Sequence, residues 1–205
     1  MSFMRFLNLT IADDIPDSKT VWNFREQLID LKLVDELFQL FLKELELLNL
    51  IINEGKIIDA SFIEVPKQRN SRAENNEIKS GNTPESFDKN SNKKSQKDLD
   101  ARWTKKNNVS YYGHKNHVKV DAKSKLIVKY EVTDASVHDS QVLENLLDEK
   151  DADEDFSGDS AYSGENQRDI ISQKEMNDKT CKKGYRNNPL TEQEIATNRE
   201  KSRIR

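Results

Sequence analysis

"VSYYGHKNHVKVDAKSKLIVKYEVTDA", residues 109–135, decides how the rest of the chain is read. Residues 109–120 and 125–133 are rich in β-branched and aromatic side chains and predict two strands. "DAKSK" between them closes a hairpin. Upstream, "NEG" at 53–55 is a turn, and "KIIDASFIEV", 56–65, predicts a further strand, ended by Pro66. Downstream, "SVHDSQVLENLLDE" predicts a helix capped by Asp139 or Ser140, with Val142, Leu143, Leu146 and Leu147 facing inward. "DFSGD" predicts a short strand ending at Asp159, "GENQRDIISQKEMN" a helix and "KTCKKG" a last strand. "TEQEIATNREKSRIR" opens a final helix with Thr191 and Glu194 as a capping-box pair. An antiparallel hairpin leading into alternating helices and strands predicts an α/β mixed sheet flanked by helices.

The flanking regions are of other kinds. Residues 17–52 predict two helices, the first capped by Asp17 or Ser18. Val21, Phe24, Leu28 and Leu31 make one stripe at helical spacing; Val34, Leu37, Phe38, Phe41, Leu42, Leu45 and Leu48 make a second. Both stripes predict core or helix-pairing faces. We therefore expect a small helical region over 1–54 and an α/β domain over 55–205. Residues 67–108 hold almost no large apolar groups, which predicts a long, flexible, basic insertion that cannot offset its ordering entropy.

Net charge is −4 over 205 residues, but it is unevenly spread. Residues 1–65 carry 6 basic and 12 acidic groups, 66–130 carry 16 and 7, 131–178 carry 3 and 15, and 179–205 carry 8 and 3. Two basic blocks around an acidic one fit either a polyanion surface beside a carboxylate site or alternating solvated faces. The single cysteine, Cys181, excludes an intrachain disulfide and fits a reducing compartment. No apolar run is long enough for a membrane span, and "MSFMRFLNL" has no signal-peptide core, so the cytoplasm is expected.

Asp59 lies in the first strand of the domain and Asp159 at the end of a later one. If those strands are adjacent and parallel, the two carboxylates converge at a rim where α/β sheets commonly bind ligands. Two close carboxylates cannot both stay ionised without a counterion. A hard divalent cation with oxygen ligands resolves this. Two such ions can activate water and stabilise a leaving oxygen in phosphoryl transfer. Local spacing alone reads Asp159 as a turn or helix-cap residue in a Gly/Ser setting. Asp59 shares a strand face with Ile57 and Ser61, which predicts a half-buried acid.

"IIDASFIEVP", "YYGHKNHVKVDAKSKLIV", "TDASVHDSQVLENLL" and "GDSAYSG", with "SFMRFLNL" and "IPDSKTVWNFREQL" upstream, resemble the DDE transposases of bacterial insertion sequences, specifically the family numbered five. The resemblance runs over nearly the whole chain. It implies a ribonuclease-H-like fold, a DDE triad binding two Mg²⁺ (or Mn²⁺), and DNA cleavage and strand transfer on transposon terminal inverted repeats and target DNA. It implies that Asp59 and Asp159 are catalytic acids and metal ligands. The third acid is expected to be a Glu shortly after an Arg-rich stretch that looks like "NREKSRIR", where this sequence stops; Glu200 precedes that stretch and does not match. The sequence also begins inside the family's N-terminal helical region. Truncation at both ends, and weak or absent transposition by these residues alone, are therefore expectations. The alternative is a non-catalytic DNA-binding or inhibitory protein that competes with, or forms mixed oligomers with, an intact transposase.

Given the resemblance, Arg102, Lys105, Lys106, Lys115, Lys119, Arg203 and Arg205 are candidate DNA contacts, with Trp103, Tyr111 and Tyr112 among the first group. His114 and His117 are three apart and face opposite sides of a strand, so a shared metal is not expected. His138 precedes the predicted cap Asp139.

Overall fold

The computed structural model describes residues 2–10, 12–65, 68–106 and 108–204. They fall into two compact units, 1–50 and 51–205. The first holds α1 (Ser2–Phe6), α2 (Ser18–Asp30) and α3 (Val34–Leu47). Asp17 caps α2, its carboxylate accepting the Thr20 N–H at 2.7 Å. The helices form as the periodicity predicts, but the stripes are not a core. Among the described side chains of this unit only Leu42 is buried, while Phe24, Leu31, Phe41 and Leu48 are exposed.

The second unit is built on a six-stranded sheet in the order β2-β3-β1-β5-β6, with β4 also paired to β3. The strands are β1 (Lys56–Glu64), β2 (Arg102–Lys106), β3 (Val109–Asp121), β4 (Ile127–Asp134), β5 (Asp155–Ser157) and β6 (Asn177–Asp178). β1, β2 and β4 pair antiparallel to β3, whereas β5 pairs parallel to β1 and to β6. This is the mixed sheet expected of a ribonuclease-H-like fold. The last strand is the dipeptide Asn177–Asp178 rather than "KTCKKG". The chain from Lys179 to Cys181 instead hydrogen-bonds along the end of β5, at Phe156 O (2.8 Å) and Gly158 O (3.1 Å).

Residues 68–106 are not an unstructured loop. They form α4 (Arg72–Lys79), α5 (Glu85–Asp88), α6 (Ser91–Ser95) and β2. The segment buries few apolar groups, chiefly Phe87 and Ala101, and is tied together by polar ones. Glu74 is the hub. It closes a capping box with Ser71, accepts Lys93 Nζ at 2.7 Å and lies 3.7 Å from Lys97 Nζ. Asn70 donates to Asp98 O at 2.8 Å, and Trp103 Nε1 donates to Asn70 O at 3.1 Å. Composition predicts disorder because it counts apolar area and misses such local side-chain bonds.

Burial opposes ionisation of Glu74, but the hydrogen bonds from Lys93 and Ser71 and the charges of Lys97 and Lys93 outweigh it, holding its carboxyl down to about 2. A depressed folded-state pKa adds stability above the unfolded value and loses it as pH falls. The insertion should therefore loosen between about pH 4.5 and pH 2. Glu74→Ala should cost it about 1–2 kcal/mol at neutral pH, the usual scale for losing a cap. Hydrogen exchange over residues 70–101 checks both expectations, and protection unchanged by the substitution would refute the hub role.

On the far side of the sheet, α7 (Leu143–Leu146) and α8 (Glu165–Gln173) cover the core of Ile58, Val142, Leu143, Leu146, Phe156, Tyr162 and Ile171. α7 is preceded by a 3-10 turn, Asp139–Val142, whose cap is His138 and not Asp139. His138 Nδ1 accepts the Ser140 N–H, and Asp139 instead pairs with Lys115 at 2.8 Å. α9 (Glu192–Ser202) starts with the expected Thr191–Glu194 capping box.

Candidate active site

β5 is short and pairs with β1 only through Lys56↔Phe156 and Ile57↔Ser157. Advancing each partner of the second couple by two residues gives Asp59 and Asp159. Strand alternation places Asp59 on the face of Ile57, opposite the core residue Ile58, while Asp159 lies two residues past the end of β5. Asp59 and Asp159 therefore each stand two residues beyond the last β1/β5 couple.

Asp59 is exposed rather than half-buried. The paired part of β5 ends level with Ile57, and the burial of β1 falls away from Asp59 onward. Its Oδ1 accepts the Ala60 N–H at 2.9 Å. Asp159 is partly buried and does form a turn: it caps the 3-10 helix Ser160–Tyr162, Oδ1 accepting the Ala161 N–H at 2.8 Å. Capping occupies one carboxylate oxygen and orients the other, so capping and ligation are compatible roles. Hard carboxylate oxygens from two residues fit a magnesium-type ion, which typically takes one or two carboxylates and fills the rest with water and phosphate oxygens. Among the described residues no cluster of three or more His, Cys, Asp or Glu is disposed to hold a metal.

The predicted basic contacts divide. Lys105 and Lys106 are exposed on β2, and Lys106 Nζ sits 5.7 Å from the Phe62 ring, itself stacked on Tyr111. Arg102 is half-buried and donates to the carbonyls of Leu99 (2.6 Å) and Ala101 (2.9 Å). Arg203 is exposed at the end of α9; Arg205 lies outside the described residues.

Lys115 and Lys119 need correction, because both are buried beneath the helices. Lys115 donates to Val137 O and pairs with Asp139; Lys119 pairs with Asp148 at 2.6 Å and Asp151 at 2.7 Å. Burial opposes ionisation of Asp148, but hydrogen bonds from Lys119 and Lys129 hold its carboxyl below the usual range. His114 and His117 face opposite sides as expected, bonding Asp98 and Thr133 respectively. Burial pushes His117 down, favouring the neutral ring.

Sequence reasoning singles out neither Arg168 nor Tyr185. The fold brings both to one polar cleft with Ser163, Lys182, Lys183 and Glu194. Sequence-distant contacts assemble it, the Cys181 N–H to Gly158 O bond and the Lys182–Asn198 bonds among them.

The six-stranded mixed sheet with its parallel β1/β5 pair defines a ribonuclease-H-like α/β fold. Residues 53–205, which include every strand of that sheet, match the family described as the transposase DDE domain, and the chain belongs to that family. The family is one of transposition and DNA recombination, and DDE transposases generally use divalent metals. No solved structure matches the chain. Among the described residues no helix is long and apolar enough to cross a membrane.

Proposed function

We propose that the chain is the transposase of a bacterial insertion sequence of the family numbered five, acting on DNA in the cytoplasm. In this reading Asp59 and Asp159 ligate Mg²⁺ or Mn²⁺ and are its first two catalytic acids. The β1–β5 register carries the proposal most directly. The ions supply charge neutralisation and water activation for phosphodiester cleavage and strand transfer. Asp59 and Asp159 orient their oxygens through the Ala60 and Ala161 N–H groups. Terminal inverted repeats and target DNA are the substrates, and the enzyme works as a homo-oligomer.

A cation bound by the native state alone stabilises it by mass action, about 2.7 kcal/mol at a hundredfold excess over Kd. Mn²⁺ should therefore raise the unfolding midpoint of the 205-residue polypeptide, and Asp59→Asn/Asp159→Asn should abolish the rise. Equal shifts in both proteins would sink the assignment.

Lys105 and Lys106 are proposed to meet DNA phosphates. Their joint replacement by alanine should flatten the dependence of log K on log salt by about 1.8, roughly 0.9 per phosphate contact. An unchanged slope removes them from the interface.

A second reading keeps DNA binding without catalysis. The 205 residues alone are then a DNA-binding competitor that joins mixed oligomers with an intact transposase. A strand-transfer assay on transposon-end DNA separates the two: robust activity by this polypeptide excludes the competitor, and inhibition of an intact enzyme favours it.

A further inference from the structure

The turn that follows Asp159 and the segment that follows β6 enclose a polar cleft of about 150 Å³. Three cations, Arg168, Lys182 and Lys183, line it against one carboxylate, Glu194. Lys182 pairs with Glu194 at 3.0 Å, so Arg168 and Lys183 are the charge in excess.

The cleft is built rather than incidental. The Lys182 N–H and C=O exchange hydrogen bonds of 2.9 Å with the Asn198 side chain, fixing that wall to α9. Tyr185 is held by reciprocal backbone bonds with Asn188 and is 61% exposed, with Lys183 Nζ 5.8 Å from its ring centroid. On the other wall stand Ser163 and, from α8, Arg168.

Its position ties it to the aspartates. Ser163 lines the cleft and ends the 3-10 turn that Asp159 caps. On the opposite side the Cys181 N–H bonds Gly158 O at 3.1 Å, one residue before Asp159 and one before Lys182.

We propose that this cleft seats a backbone phosphate of the DNA strand that enters the Asp59–Asp159 site, with Arg168 and Lys183 neutralising it and Tyr185 packing against the adjoining nucleotide. The inference rests on the reading of those aspartates as the catalytic pair. A volume well below the roughly 300 Å³ of drug-sized sites suits a phosphodiester rather than a whole free nucleotide. Arginine's planar fork matches phosphate oxygens in pairs.

The test is fluorescence anisotropy of a labelled transposon-end duplex over a salt series, with the full chain and Arg168→Gln/Lys183→Gln. Loss of that one phosphate contact should flatten the salt slope by about 0.9. A methylphosphonate scan of the duplex should find a phosphate whose neutralisation weakens the wild type but not the double variant. Both side chains are exposed, so the unfolding midpoint should not move, and Lys183→Arg should keep the wild-type slope. An unchanged slope in the double variant, or identical methylphosphonate profiles, overturns the cleft. If that occurs while the aspartate-dependent Mn²⁺ shift persists, the cleft alone fails. If the slope flattens but the Mn²⁺ shift is absent, the phosphate contact stands and the catalytic pairing falls.

Discussion

Lys119→Ala is expected to destabilise the α/β unit by about 3–5 kcal/mol, the range for removing one partner of a buried ion pair. Lys119 and Asp151 are respectively 3% and 2% exposed, and their ion pair spans 2.7 Å. Asp151 Oδ2 also accepts the Asp148 N–H at 2.8 Å, so the cation anchors the 3-10 turn Glu149–Asp151 to the centre of β3. Without the ammonium, the Asp151 carboxylate stays buried with the Asp148 N–H in place of a countercharge. It must protonate, hydrate or swing out, and each breaks the turn. Asp148 is less affected, because Lys129 also reaches it. Urea unfolding should show a lower midpoint at constant slope. A Lys119→Met/Asp151→Leu double variant should recover most of the loss, since the penalty lies in the uncompensated charge. Failure to recover would show that the pair itself, rather than its half-removal, matters.

Gly113→Ala should be comparably damaging for a different reason. Gly113 has φ +153 and pairs across the ladder with Glu64. A Cβ there would stand 2.1 Å from the Ile63 carbonyl oxygen and 2.8 Å from the Val65 nitrogen, both backbone atoms that no rotamer change can move. The end of β1 would have to part from β3, breaking the Val65 N–H to Tyr112 O bond of 3.0 Å. Overpacking costs about 1–3 kcal/mol and backbone strain a similar amount, so a total above about 3 kcal/mol is expected. Because β1 carries Asp59, the variant should also lose part of its Mn²⁺ response. A thermal midpoint within a degree of wild type would mean that the two strands can separate there at little cost.

Much of the fold is legible locally. β1, the β3–β4 hairpin, α2, α3, α8 and α9 follow from hydrophobic period, turn residues and caps, each a property of neighbouring positions. Where the reading fails, the deciding partner is distant in sequence. The 68–106 segment is ordered by Glu74 meeting lysines 19 and 23 positions on, a geometry that composition does not encode. Lys115 and Lys119 read as surface cations on a polar strand. They turn inward because Asp139, Asp148 and Asp151 lie beneath the same sheet face.

The candidate site divides the same way. The linear sequence determines that aspartates follow "II" at one strand and "SG" near the end of another, and that both sit in motifs of a DDE transposase. Tertiary structure alone decides that β1 and β5 run parallel, with Lys56 and Ile57 opposite Phe156 and Ser157. It also decides that Asp59 is exposed, that Asp159 caps a turn, and that Arg168 and Lys183 share a cleft one hydrogen bond away from it. Propensity and periodicity are set by residues within a turn or a strand of one another. Burial, ion pairing and register are set by whichever segment the folded sheet places alongside.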